Sequence, residues 1–214
     1  MTALNWILGK DRLIITSDTL SLYASDRTPK RYMTKMYILP HLKMVLAGTG
    51  NAEVIIEYQH LLFSKVVARS ILHIVDTATT VLKTLYNQHS EAGTVTIYLF
   101  GLNEKSQENE GYALRSENDF IPEKLNYDIC YAKPHLPNNL VKDLYDSSST
   151  DDEFFIKLIK EQRTNDLQLP KVERLGIGGE IQRIVMDQND FLFSTIFKFD
   201  DFETNFQAML ENMK

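Results

Sequence analysis

The sequence predicts an α+β fold, in which two antiparallel sheets lie face to face between two pairs of helices as a four-layer αββα sandwich. The first observation is the order of the patterns, which runs strands, two helices, strands, two helices and strands. The second is that short turns join the strands within each block, which favours antiparallel pairing. The third is that each helix pair has an apolar face that can cover one sheet. Because single strands and helices do not alternate, a Rossmann-type parallel sheet is excluded.

Length and composition are those of an ordinary globular protein. The 214 residues suit a single domain, 1–214, and a hydrophobic content of 43% argues against disorder. The formal net charge of -6 disfavours nucleic acid as a partner, because phosphate binding needs a basic face. The single cysteine, Cys130, fits a reducing compartment. We find neither a membrane-spanning apolar run nor a signal-peptide pattern, so we expect a cytoplasmic protein without a membrane partner.

Two strand pairs are predicted near the N-terminus, where apolar residues recur from the third residue onward. The pairs are residues 3–8 with 12–17 and residues 35–39 with 43–48. Residues 9–11 supply the first turn, and Pro40-His41 supplies the second. A polar connection without clear periodicity, residues 21–34, separates the two pairs. Since the four strands are close in sequence, we expect them to form one meander-like antiparallel sheet.

Two helices are predicted next, because apolar residues then recur at helical spacing. Asn51, directly behind Gly48-Thr49-Gly50, is a candidate N-cap for the first helix. The apolar positions of that helix are Val54, Ile55, Tyr58, Leu61, Leu62 and Val66. Those of the second helix are Ile71, Leu72, Val75, Ala78, Val81, Leu82 and Leu85. The turn before Asn51 lacks the lysine of a phosphate-binding loop, so we interpret it as a helix entry.

The rest of the chain repeats the sequence of strands, helices and strands. The predicted strands are residues 94–102, GYALRS (111–116), FIPEKL (120–125) and DICYA (128–132). The predicted helices are residues 138–146 and 151–163, with Ser147–Ser149 as the break between them and Thr150-Asp151 as a cap. After Pro170 we expect two strands that are joined at 187–190, and then a short helix at 201–213.

Four stretches in this order resemble the proteasome β-type family of N-terminal-nucleophile (Ntn) hydrolases. They are Thr2 at the start of a strand with Asp18 after LIITS; KMYIL followed by LKMVLAGTGNAE; TVTIYLFGLNEKSQENEGYALRSENDFIP; and GIGGEIQRIVMDQNDF. The resemblance covers nearly the whole chain. Within this family, the chain resembles a divergent bacterial proteasome-like protein. It implies the four-layer fold and a threonine-type hydrolase.

The resemblance also implies the roles of four site residues. Removal of Met1 would make Thr2 the first residue, so that its hydroxyl is the nucleophile and its α-amino group the base. An α-amino group has a reference pKa near 7.7–8.0, which suits a base at cellular pH. Lys35 would stabilise the alkoxide, Asp18 would hold Lys35 charged, and the backbone N–H of Gly48 would face the oxyanion.

Three departures from the family pattern concern the residues that surround such a site. The stretch that matches the family's serine-containing turn is CYAKPHLP (130–137), which has no serine. Ile177 stands where the family places a serine, and Arg174 where it places an aspartate. An arginine beside Lys35 and an ammonium group would be repulsive unless it turns away.

These observations leave three functions open. The first is a threonine peptidase that cleaves a peptide or protein substrate, assembles as a homo-oligomer ring and works with an unfoldase partner. The second is a non-catalytic proteasome-like scaffold, in which Asp18 is only a turn cap and Lys35 a solvated edge charge. The third is an Ntn acylase for small substrates. We expect no cofactor and no metal, because the five histidines show no metal-ligand spacing.

Overall fold

The computed structural model describes residues 2–89, 93–188 and 190–212, and Met1, whose removal the sequence predicts, lies outside them. The described residues form twelve strands: β1 (Leu4–Leu8), β2 (Arg12–Asp18), β3 (Leu20–Leu22), β4 (Pro29–Tyr32), β5 (Met36–Leu39), β6 (Met44–Gly50), β7 (Val95–Asn103), β8 (Glu108–Arg115), β9 (Glu123–Lys124), β10 (Cys130–Lys133), β11 (Glu180–Asp187) and β12 (Phe191–Lys198). The helices are α1 (Ala52–Lys65), α2 (Ile71–Gln88), α3 (Asn138–Asp146), α4 (Asp151–Gln168) and α5 (Phe202–Glu211). The expected α+β class is therefore confirmed.

The strands form two five-stranded antiparallel sheets and one small hairpin. The first sheet has the order β10-β1-β2-β11-β12, and the second has the order β5-β6-β7-β8-β9. The expected meander of the first four predicted strands is wrong, because β1–β2 and β5–β6 belong to different sheets. Each pair adds to a longer ladder from a distant part of the chain: β2 pairs with β11, and β6 with β7.

The stretch between the two sheets is structured, although its sequence lacks a clear period. Residues 20–22 and 29–32 form the hairpin β3–β4, whose register is irregular at Ser21 and Leu22. Tyr32 stacks on Phe202 of α5 with ring centroids 4.2 Å apart. Packing against a distant helix therefore stabilises a hairpin that local alternation does not predict.

Four buried apolar clusters join the helices and sheets of the described residues. Helices α1 and α2 share a buried cluster with the second sheet, which includes Val54, Ile74, Leu46, Leu99 and Leu114. A second cluster combines residues of both sheets, among them Leu4, Trp6, Met36, Ala47 and Tyr98. Residues of α4 pack on the first sheet in two further clusters, which include Phe154, Leu158, Ile159, Ala3 and Ile181.

The predicted helix starts are confirmed by their capping bonds. The Asn51 side chain accepts a hydrogen bond from the Glu53 N–H (2.8 Å) at the start of α1. The Thr150 hydroxyl accepts one from the Glu153 N–H (3.2 Å) at the start of α4. None of the helices in the described ranges has the length and apolar character needed to cross a membrane.

Candidate active site at the start of the first strand

Asp18 ends strand β2, and its side chain is completely buried. One carboxylate oxygen, Oδ1, accepts a hydrogen bond from the Ala3 N–H (3.0 Å) and another from the Lys35 ammonium (2.8 Å). The other oxygen, Oδ2, accepts from the Gly178 N–H (3.1 Å). These donors satisfy a carboxylate that would otherwise be costly to bury. Asp18 therefore joins the start of the chain, β5 and the loop before β11.

Lys35 directly precedes β5, and 7% of its side chain is exposed. Its ammonium group donates to Asp18 Oδ1 and to the Leu20 carbonyl oxygen (2.7 Å). An ammonium group has three donors, and two of them bond to these partners among the described residues. The structure therefore brings together two of the predicted residues, Asp18 and Lys35, as a buried ion pair.

Thr2 lies two residues before β1 and lines a cavity of about 50 Å³ together with Lys35 and Gly48. The other lining residues are Ser21, Met33, Tyr37, Gly50, Ala52, Ile55 and Ile56. Burial raises the pKa of Tyr37 above its ordinary value, so its phenol is neutral at neutral pH. Thr2 and the ion-paired Lys35 thus line one small cavity together with apolar residues.

Gly48 belongs to β6 at the point where α1 approaches the sheet. A Cβ at this position would lie 2.8 Å from Ile55 Cδ1 and 3.1 Å from the Thr96 carbonyl oxygen. Close packing of α1 is therefore a sufficient reason for glycine here. Strand β5 pairs with β6 only from Met44 to Ala47, so Gly48 has its ladder partner, Ile97, on the β7 side alone.

Arg174 and Ile177, the two departures from the family pattern near β11, both have defined contacts in the structure. Arg174 turns away from the site, because its Nε donates to the Leu169 carbonyl oxygen (2.9 Å) on the surface. The expected repulsion with Lys35 is thus relieved. Ile177 is buried in the cluster that also contains Ala3 and Ile181. Apolar packing with the residues around the start of β1 therefore occupies the position at which the resemblance implies a serine.

The serine-free stretch 130–137 forms β10 and the turn after it. This segment is held by a buried amide pair, in which Asn5 Nδ2 donates to Gln162 Oε1 (2.9 Å) and Gln162 Nε2 donates to Asn5 Oδ1 (2.8 Å). Gln162 Nε2 also donates to the Pro134 carbonyl oxygen (2.7 Å). Amides of β1 and α4 therefore anchor a turn that carries no serine.

Sequence reasoning missed several residues around the site. Ser21 and Tyr37 line the cavity, and Asp166 of α4 accepts hydrogen bonds from the loop before β11. Gln162 and Asp166 lie on the buried face of α4 with Phe155, Leu158 and Ile159. Polar residues at helical spacing from this apolar set are the signal that could have identified them.

Comparisons with known proteins give a structural likeness only. No protein-family model matches the chain, and no curated protein matches it by sequence. The fold is similar to that of Anbu from Hyphomicrobium sp. strain MC1, which was solved as a (Gly-1) mutant. The match has a TM-score of 0.64 and 13% identity, and it covers 100% of this chain and 94% of that chain. The chain has a proteasome-like fold. At this identity the likeness concerns the fold and says nothing of the reaction.

Proposed function

We propose that this protein is a threonine-type amidohydrolase, with Thr2 as an N-terminal nucleophile on a four-layer αββα scaffold. The observation that carries the proposal is the buried Lys35–Asp18 ion pair (2.8 Å), whose lysine lines the same cavity as Thr2. A buried ion pair is not by itself evidence of greater stability, because desolvation offsets much of its attraction. Because Lys35 and Thr2 line the same cavity, we propose a chemical use for the pair.

The proposed reaction is acyl transfer through the Thr2 hydroxyl. The α-amino group of Thr2 accepts the hydroxyl proton while Oγ1 attacks the carbonyl carbon of an amide. The Lys35 ammonium and the Gly48 N–H stabilise the negative oxygens of the transition state. The amide C–N bond then breaks, and the leaving amine takes up the proton. Water hydrolyses the resulting ester, releases the acid and restores the hydroxyl.

The proposed substrate is a peptide or protein. Within the part of the chain that the structure describes, Gly48 and the rest of β6 beyond Ala47 have no ladder partner on the β5 side, so an extended peptide can add there through its backbone. We further propose a cytoplasmic homo-oligomer ring, with the exposed helix faces in contact, that receives substrate from an unfoldase partner.

The first test is the intact mass of protein made without a tag. The proposal requires a chain whose first residue is Thr2, so Met1 must be absent; retained Met1 leaves no free amine on Thr2 and contradicts it. Protein that passes this test is then treated with a threonine-reactive β-lactone or epoxyketone. We expect one adduct in the wild type and none in the Thr2→Ala variant.

A second candidate is a non-catalytic proteasome-like scaffold. It is supported by Ile177, which is buried in an apolar cluster at a position where the resemblance implies a serine. This candidate predicts no adduct even after Met1 has been lost. Adduct formation without cleavage of protein substrates would instead favour the small-substrate acylase.

A further inference from the structure

Helix α4 carries two polar residues on its buried face, one helical turn apart. Gln162 has an exposure of 0% and Asp166 an exposure of 4%. Residues four apart lie on the same side of a helix, so both face the first sheet and the loops at its edge. Polar groups buried this deeply need hydrogen-bond partners. Gln162 bonds to Asn5 of β1 and to the Pro134 carbonyl oxygen, whereas Asp166 bonds to the loop before β11.

The Asp166 carboxylate binds three successive backbone N–H groups of the loop before β11. Its Oδ1 accepts from Leu175 (2.6 Å), while Oδ2 accepts from Gly176 (2.9 Å) and Ile177 (3.5 Å). The next N–H along the chain, that of Gly178, donates to Asp18 Oδ2 (3.1 Å). Asp166 thus orients the peptide groups immediately before the one that binds Asp18.

The hydrogen bonds continue from Asp18 to the cavity. Asp18 Oδ1 accepts from the Lys35 ammonium group, and Lys35 lines the cavity that contains Thr2. We infer that Asp166 is a positioning residue of this site, acting through loop residues 175–178 on Asp18 and, through Asp18, on Lys35. The effect of Asp166 on catalysis rests on the proposed function, whereas its effect on the position of Asp18 does not. A carboxylate from a helix thereby supports the loop in which Arg174 faces outward.

The alternative to a positioning role is that Asp166 only stabilises the fold. The loop has other supports: the Gly178 carbonyl oxygen accepts from the Thr19 N–H (3.2 Å) and the Leu20 N–H (3.0 Å). Gly176 has a φ of +78°, and a Cβ there would lie 2.2 Å from Leu22 Cδ1. If these contacts alone fixed the position of the loop, loss of the Asp166 charge would lower the free energy of unfolding but leave the Gly178–Asp18 hydrogen bond intact.

The direct test measures amide hydrogen exchange of Gly178 by NMR, relative to the amide of Ile15 in β2. In Asp166→Asn we expect this ratio to rise about tenfold or more, because the hydrogen bonds to a charged acceptor are lost. Gln162→Met is the matched control: it removes a buried polar group one turn away, and the ratio should stay as in the wild type. An unchanged ratio in Asp166→Asn would overturn the inference. If that variant does not fold, Asp166→Glu keeps the charge but displaces the carboxylate, and a raised ratio is again expected, whereas an unchanged one overturns the inference.

The second test uses the kinetics of β-lactone labelling. The inference predicts that Asp166→Asn lowers the maximal labelling rate about tenfold or more while the half-saturating β-lactone concentration stays unchanged, because alignment rather than binding is lost. An equal reduction of the maximal labelling rate in Asp166→Asn and Gln162→Met would indicate a stability effect and contradict the inference. A wild type that never labels would refute the proposed function, and the exchange ratio would still decide the role of Asp166.

Discussion

At the scale of single residues, the ion pair of Lys35 with Asp18 is the most demanding feature of the site. Both side chains are almost completely buried. The loss of hydration is offset by hydrogen bonds with the Ala3 and Gly178 N–H groups and the Leu20 carbonyl oxygen. Removing one partner would leave a buried charge with too few neighbours.

The substitution Lys35→Met is therefore expected to lower the free energy of unfolding by about 3 kcal/mol, because the Asp18 carboxylate stays buried without its cation. Urea denaturation at neutral pH measures the effect. Lys10→Met is the control, since Lys10 pairs with Glu108 on the surface, and its loss should change little. Equal effects of the two variants would show that Lys35 is not paired as described.

Cys130 provides a second test at residue scale. Burial raises the pKa of its thiol to about 12. The reactive thiolate is therefore scarce at pH 8, and we expect alkylation by iodoacetamide to be roughly a thousandfold slower than for a peptide cysteine. Denaturant should restore the ordinary rate. Fast alkylation of the folded protein would show that the partial burial of Cys130 does not suppress its thiolate.

Among site residues, the sequence and the resemblance predicted those that lie on regular strands or directly before them. The resemblance implied Asp18 and Lys35, which lie at the end of one predicted strand and the start of another, and the structure joins them as an ion pair. The direction of Arg174 and the partners of Asp166 could not be predicted, because they depend on a loop whose path is determined by contacts with a distant helix.

At the scale of elements, three strands of the second sheet meet at Glu110, whose side chain is 6% exposed. Its carboxylate accepts hydrogen bonds from Lys124 (2.7 Å), Tyr112 (2.7 Å) and Asn103 (3.1 Å). Burial by itself raises the pKa of Glu110, but these three donors outweigh it and bring the pKa below its ordinary value. The carboxylate therefore holds β7, β8 and β9 together in its charged form.

This arrangement predicts a pH-dependent loss of stability. A lowered pKa in the folded state stabilises the protein above the unfolded pKa and stops doing so as the pH falls through the folded pKa. Glu110→Gln should be less stable than the wild type by about 1 kcal/mol at neutral pH, with a smaller difference below pH about 4. Chemical denaturation at both pH values gives the comparison, and the exposed Glu173→Gln is the control. A difference that does not vary with pH would refute this role of Glu110.

Elements were predictable where local signals agreed with the final packing. Helices α1 and α4 begin at the predicted caps, and α2 begins at Ile71, the first residue of its predicted apolar face. Sheet membership was not predictable, because proximity in sequence favours β1, β2, β5 and β6 as one sheet while long ladders with β7 and β11 separate them. Hairpin β3–β4 has no alternation to reveal it and depends on α5.

At the scale of the whole molecule, the proposed ring predicts a mass well above that of one chain. Multi-angle light scattering of the purified protein should give a multiple of 24.7 kDa that persists on dilution. Thr2→Ala should assemble identically, because Thr2 lies in the cavity and not on a helix face. A single-chain mass at all concentrations would contradict the ring.

The central claim is that Thr2 is a nucleophile supported by Lys35 and Asp18. The most direct measurement is peptide mapping by mass spectrometry after epoxyketone treatment of the wild type, Thr2→Ala and Lys35→Met. We predict an adduct on the N-terminal peptide of the wild type, none in Thr2→Ala and at least about a hundredfold slower formation in Lys35→Met. A wild type that begins at Thr2 and remains unmodified, or an adduct that survives in Thr2→Ala, would contradict the claim.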